Sequence, residues 1–171
     1  MMVEGEAALR AGLKSLALDL SDSQIRQLLD YQDLIGKWTK VYNLTAVRDP
    51  AEMLTHHLLD SLAAVLPLQK HLLSGGLLSR EGDGAKLLDV GSGAGLPGVV
   101  LAICCPALSV TCVDTVGKKA AFITQAALSL GLRNLKGLHA RVETIAESFD
   151  VICSRAFASL ADFTAWSGKA L

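Results

Sequence analysis

From position 86 onward the chain alternates. Short β-rich apolar runs at 86–90, 109–113, 135–139 and 149–153 are separated by stretches with helical spacing, at 98–105, 118–130, briefly after Arg141, and from Ser159. Strands this apolar are buried on both faces, which requires parallel neighbours joined by crossover helices. The alternation therefore predicts an α/β fold with a doubly wound, mainly parallel sheet. Gly131 is placed to close the second helix, and Ser159 with Asp162 to cap the last one. At 51% hydrophobic residues, the 171-residue chain has enough apolar surface to fill such a core.

The first 73 residues read differently, as a helical extension. Ser21 with Gln24 forms a capping box, and Leu28, Tyr31, Ile35, Trp38 and Tyr42 recur at steps of three and four. That stripe reads as core rather than as a base-stacking platform. A second helix is expected to open at Asp49, with Pro50 in its first turn and Glu52 completing a box. It buries Leu54, Leu58, Leu62 and Val65 and ends at Pro67. His56 and Asp60 lie one turn apart on it but lack a third ligand, so no metal is expected. A glycine-rich polar break then divides the chain into a helical cap at 1–73, a linker at 74–85 and the α/β core at 86–171.

The stretch 88–98, LDVGSGAGLPG, has glycine at 91, 93 and 95, where a strand should turn into a helix. Glycine costs backbone entropy, so three in five residues suggest that a ligand lies against bare main chain. In open α/β sheets, ligands sit beyond the carboxyl ends of the strands. Past the second strand comes Asp114, 23 residues after Gly91, where a carboxylate can hold ribose hydroxyls. Past the third come Val142 and Glu143, where an N–H and a carboxylate can read an adenine edge. Past the fourth come Ser154 to Phe157. The dinucleotide fingerprint needs a third glycine where this chain has Leu96, and Asp89 precedes the loop by two residues. Pyrophosphate disfavours a nearby carboxylate. S-adenosylmethionine, with its cationic sulfonium, ammonium and free ribose, is the ligand these residues favour, with Asp89 facing the cation or simply fixing the loop. A nicotinamide-dependent oxidoreductase is the alternative.

The net charge of −1 gives no global support for a nucleic-acid partner. Local basic clusters stand out at Lys37, Lys40 and Arg48, at Lys118 and Lys119, and at Arg133, Lys136 and Arg141. Lys118 and Lys119 open a helix, against its macrodipole, which suggests contact with phosphate. No apolar run is long enough to span a membrane, and the acidic start does not read as a secretory signal. Cys104, Cys105, Cys112 and Cys153 lie in apolar stretches without zinc spacing, as expected of buried thiols in a reducing cytoplasm.

The blocks WTKVYNLTAVRDPAEMLTHHLLDS, LLDVGSGAGLPGVVLAI, CVDTVGKKAAFI, ARVE and SRAFASL, in that order, resemble the RsmG (GidB) family. The resemblance implies a class I S-adenosylmethionine-dependent methyltransferase, Rossmann-like, acting on N7 of a guanine in 16S ribosomal RNA. It implies small-subunit RNA or a ribosomal particle as partner, a cytoplasmic location, and cofactor contacts at Gly91, Leu96, Val142, Glu143 and Arg155. The residues themselves add Gly93 and Asp114. Family members continue past Leu171 into further strands, so the C-terminal strands are expected to be missing here, and a cofactor- or RNA-binding fragment without turnover stays an open reading. Guanine N7 carries no proton, so no general base is needed. Consistent with that, 154–157 holds no proline of the kind used to accept exocyclic amino protons. Arg155 is the candidate catalytic residue, holding the cofactor carboxylate or guanine O6; the competing reading is a salt bridge to Asp89 or Glu143. Phe157 either stacks on a base or fills the core. A monomer is expected.

Overall fold

The computed structural model describes residues 2–77, 84–155 and 159–171. Its centre is a four-stranded sheet of β1 (Lys86–Val90), β2 (Ser109–Asp114), β3 (Leu135–His139) and β4 (Val151–Cys153). All neighbours are parallel and the order is β3-β2-β1-β4. The chain thus winds outward from β1 to β3 and returns to the other side of β1. The reversal falls between β1 and β4, where a ligand crevice is expected. Asp89 lies at the middle of this arrangement, opposite Cys112 of β2 and Cys153 of β4.

Eight α-helices are described: α1 (Met2–Ser15), α2 (Asp22–Tyr42), α3 (Pro50–Met53), α4 (Asp60–Leu62), α5 (Val65–Ser74), α6 (Gly98–Cys104), α7 (Gly117–Leu130) and α8 (Leu160–Ser167). Adjacent side chains of β1 point to opposite faces, and both faces are covered. Leu87 packs with α2, α6 and α7 residues such as Tyr31, Val99 and Phe122. Leu88 and Val90 pack on the other side with Val113, Val142, Phe149 and Ala170. Helix α6 is buried at every position because it is enclosed by the sheet and the N-terminal helices.

The N-terminal helices are bonded to the sheet layer as well as packed on it. Ser21 and Gln24 form the expected capping box, at 2.9 and 3.2 Å. Gln24 also donates to the Ile103 carbonyl and Gln27 to that of Leu130, pairing carbonyls in the last turns of α6 and α7. The Tyr31 hydroxyl, fully buried, donates to Ala94 O inside the glycine loop. The stripe is therefore core at Leu28, Tyr31 and Ile35, while Tyr42 is exposed.

The segment after Asp49 departs from expectation. The Asp49 carboxylate caps α3 by accepting the Ala51 N–H, without the return bond from Glu52. Helix α3 then widens into a π-helical segment, Leu54–Leu59, before α4. Pro67 does not end this helix. The break comes at Ala63 and Ala64, and Pro67 lies in the first turn of α5, where its missing N–H has no carbonyl to lose. The fourth strand begins at Val151 rather than 149, because the Phe149 N–H donates to Ala170 O and its ring enters the second core.

Candidate active site

The loop after β1 explains its glycines by two different causes. Gly91, Gly93 and Gly95 all have positive φ, at 64°, 57° and 90°, so each position is strained for any other residue. Above Gly91 and Gly93 a Cβ would meet nothing within 4 Å, which leaves main chain bordering open space. At Gly95 a Cβ would lie 2.3 Å from Val99 Cγ2 and 2.6 Å from Ile123 Cδ1. The third glycine therefore serves helix packing rather than a ligand. Leu96 is buried in the larger core.

Asp114 at the end of β2 holds this loop. Its Oδ2 accepts the Gly93 N–H at 3.0 Å and its Oδ1 accepts the Val116 N–H at 2.9 Å. Each oxygen keeps a second acceptor direction for a ligand hydroxyl. Asp89 is fully buried, and its Oδ2 accepts the Gly98 N–H at 2.8 Å, which fixes the start of α6. Its Oδ1 is buried without a partner. Burial pushes the Asp89 carboxyl up to about 7, against the Gly98 hydrogen bond and the nearby Arg155 charge. The loop-fixing role of Asp89 is thus seen on Oδ2, and Oδ1 is left without a partner.

A cavity of about 410 Å³ runs along the carboxyl ends of β1, β2 and β3. Gly91, Asp114, Val142 and Glu143 line it, as their strand-end positions predict, and so do Thr115, Arg141 and Trp166. Trp166 belongs to α8, some fifty residues beyond Asp114 in sequence, and no motif marks it. Lys118, exposed at the start of α7, lies 5.1 Å above the Tyr42 ring, and Lys119 is half-buried beside it. Phe157 lies outside the described residues.

Arg155 takes neither of the two carboxylates considered for it. Its NH1 donates to His56 O at 3.2 Å and lies 3.7 Å from Asp60 Oδ2, while its NH2 reaches His57 Nδ1 at 3.2 Å. The other His57 nitrogen, Nε2, is 2.7 Å from Thr45 Oγ1, which also accepts the Val47 N–H. Burial first, and the Arg155 charge second, hold the His57 pKa below its usual 6.5. A neutral ring accepting from Arg155 at Nδ1 carries its proton on Nε2 and donates it to Thr45. The order Arg155 to His57 to Thr45 is therefore directional. The π-helical segment supplies His56 and His57 to it, a recurrent use of that helix type near functional sites.

The family model described as GidB, rRNA small subunit methyltransferase G, matches residues 24–171. The chain belongs to the GidB family. The ribosomal RNA small subunit methyltransferase G of Polaromonas sp. (strain JS666 / ATCC BAA-500) is 77% identical over 98% of this chain and 72% of its own length. The protein of that name from Polaromonas naphthalenivorans (strain CJ2) is 71% identical over 96% and 73%. A solved SAM dependent methyltransferase from Aquifex aeolicus overlays 62% of this chain and 51% of its own, with TM-score 0.42 and 24% identity, a partial likeness only.

Each residue of NLT, within the first of the blocks that resemble GidB proteins, has a local task. Asn43 ends α2 in the left-handed conformation and accepts from Arg48, Leu44 is buried, and Thr45 anchors His57. Sequence spacing could not pair Thr45, His57 and Asp60 with Arg155, roughly a hundred residues away. The only signal was that Thr45, His57 and Asp60 share one family block and Arg155 stands in another.

Proposed function

We propose that this chain transfers a methyl group from S-adenosylmethionine to N7 of a guanine in small-subunit ribosomal RNA. The observation that carries the reading, given the family, is open space over the bare backbone of Gly91 and Gly93, beside Asp114, whose carboxylate holds the Gly93 N–H. The residues fit the cofactor: an unpartnered buried carboxylate oxygen on Asp89 suits its cationic part, and the glycines leave a cradle that any Cβ would narrow. Asp114 holds the ribose hydroxyls, Val142 and Glu143 read the adenine, and Leu96 backs the loop.

Bound there, the cofactor supplies an activated methyl group on a sulfonium. Guanine N7 presents an in-plane lone pair and no proton, so no side chain has to act as a base. The work left to the protein is alignment, which in favourable systems contributes about 7–11 kcal/mol to a barrier. Arg155, held by His56, His57 and Asp60, keeps N–H donors for guanine O6 or the cofactor carboxylate. His57 acts through Arg155 and is a positioning residue. Lys118 and Lys119 contact RNA phosphates.

The test is methyl transfer from labelled S-adenosylmethionine to undermethylated small ribosomal subunits and to naked 16S RNA, followed by borohydride and aniline treatment. N7-methylguanine is cleaved by that treatment, so one new cleavage site is expected. Incorporated label without a cleavage site would reject N7 as the target atom.

A further inference from the structure

A second cavity, of about 630 Å³, lies between α2 and α3 and shares no lining residue with the cofactor cleft. Lys37, Lys40 and Arg48 line it, with one carboxylate, Asp33. All four are exposed. Neither lysine has a hydrogen-bond or ion-pair partner among the described residues, and Arg48 donates to Asn43 Oδ1 at 2.5 Å.

Two observations distinguish this cavity from an ordinary solvated face. Thr39, which also lines it, is only 2% exposed, yet its Oγ1 has no hydrogen-bond partner. A helical threonine commonly returns its hydroxyl to the carbonyl one turn back, and a buried hydroxyl left unpaired is destabilising. Gly36, three residues earlier on the same face, is equally unexplained by packing: a Cβ there would meet nothing within 4 Å. A glycine in mid-helix weakens the helix. At both positions α2 gives up stability where the cavity gains room or a donor.

The end of α2 also connects this face to the catalytic core. Lys118 stands over the Tyr42 ring, and the preceding Asp114 binds the Gly93 N–H. Lys118 adds a cation at the end of the same helix. Two lysines without partners and a buried free hydroxyl in one cavity suit a phosphodiester strand.

We propose that the α2–α3 cavity is an RNA-backbone site, in which Lys37, Lys40 and Arg48 hold phosphates flanking the target guanine and Thr39 donates its hydroxyl to one of them. The proposal rests on the methyl-transfer reading in taking RNA as substrate. The test uses the full chain, a fluorescein-labelled single-stranded RNA 20-mer, and S-adenosylhomocysteine. The triple variant Lys37→Ala, Lys40→Ala, Arg48→Ala is expected to bind the RNA at least tenfold more weakly. Its slope of log affinity against log salt should shrink by about 0.7 for each phosphate no longer neutralised, about 2 in all, with S-adenosylhomocysteine affinity unchanged. Thr39→Val should raise the melting temperature and weaken RNA binding about fivefold. An unchanged salt slope in the triple variant would overturn the proposal. So would a Thr39→Val protein that melts lower and binds RNA normally, since the threonine would then be packing. Loss of binding to whole ribosomal subunits but not to RNA would assign the surface to a protein partner, and also overturn it. Failure of the parent chain to bind S-adenosylhomocysteine would count against the methyl-transfer reading, while the salt slope still decides the cavity.

Discussion

Asp89 uses its two oxygens differently, and pH should separate them. The folded carboxyl keeps its proton up to about pH 7, against a usual 3.8 when exposed. The native state therefore binds more protons than the unfolded chain between those values, and this group's contribution to stability falls as pH rises through that window. A cationic ligand favours the ionised form. Affinity for S-adenosylmethionine should accordingly rise between pH 6 and 8 more than affinity for S-adenosylhomocysteine, whose sulfur is neutral. Equal pH dependence in parallel titrations would remove Asp89 from cation recognition. The glycines separate as cleanly. Gly93→Ala meets no atom and should cost about 1–2 kcal/mol for its left-handed backbone. Gly95→Ala adds collisions with Val99 and Ile123 and should cost more, read by urea denaturation. The repeated glycines were legible as a special turn. That the third one answers to α6 and α7, not to a ligand, was not, because only the packed neighbours show it.

Among the elements, the strands were readable to within a residue or two, since period, length and apolar content agree there. The segment 49–74 was not. A π-helical stretch has no spacing signature of its own, and Pro67 looks like a helix end unless the break before it is visible. The consequence is functional, because this segment presents His57 to Arg155. His57→Ala should lower kcat for methyl transfer about a hundredfold, the scale expected for a misplacement of about 1 Å. His57→Asn, whose carbonyl can still accept from Arg155, should recover part of the loss. A depressed histidine pKa contributes stability above about pH 6.5 that is lost as pH falls through the folded value, since protonation puts a second donor against Arg155. Activity of the parent should therefore fall on the acid side, and that limb should vanish in His57→Asn. An acid limb that persists in His57→Asn would assign the titration to another group.

Across the whole molecule, the division of the chain at 74–85 that we propose is a division of sequence and not of core. One hydrophobic cluster contains Leu9, Leu28 and Tyr31 together with Leu87, Val99 and Phe122. The two parts should unfold in one transition, with far-ultraviolet dichroism and tryptophan fluorescence coinciding; Trp38 and Trp166 report on opposite ends of the chain. Tyr31→Phe, which leaves the Ala94 carbonyl unpaired, should lower stability by about 1 kcal/mol and loosen the glycine loop. Helical periodicity identified the stripe but could not say what it packed against, because that depends on the sheet's topology. Charge was uninformative at this scale, since a net charge of −1 conceals the local cluster of Lys37, Lys40 and Arg48.

Isothermal titration of the parent chain with S-adenosylhomocysteine, and separately with NADH, tests the assignment of the β1–β2 cleft most directly. One molecule of S-adenosylhomocysteine should bind per chain, with the heat abolished in Asp114→Ala, and NADH should give none. Saturable NADH binding, or S-adenosylhomocysteine binding untouched by Asp114→Ala, would contradict it.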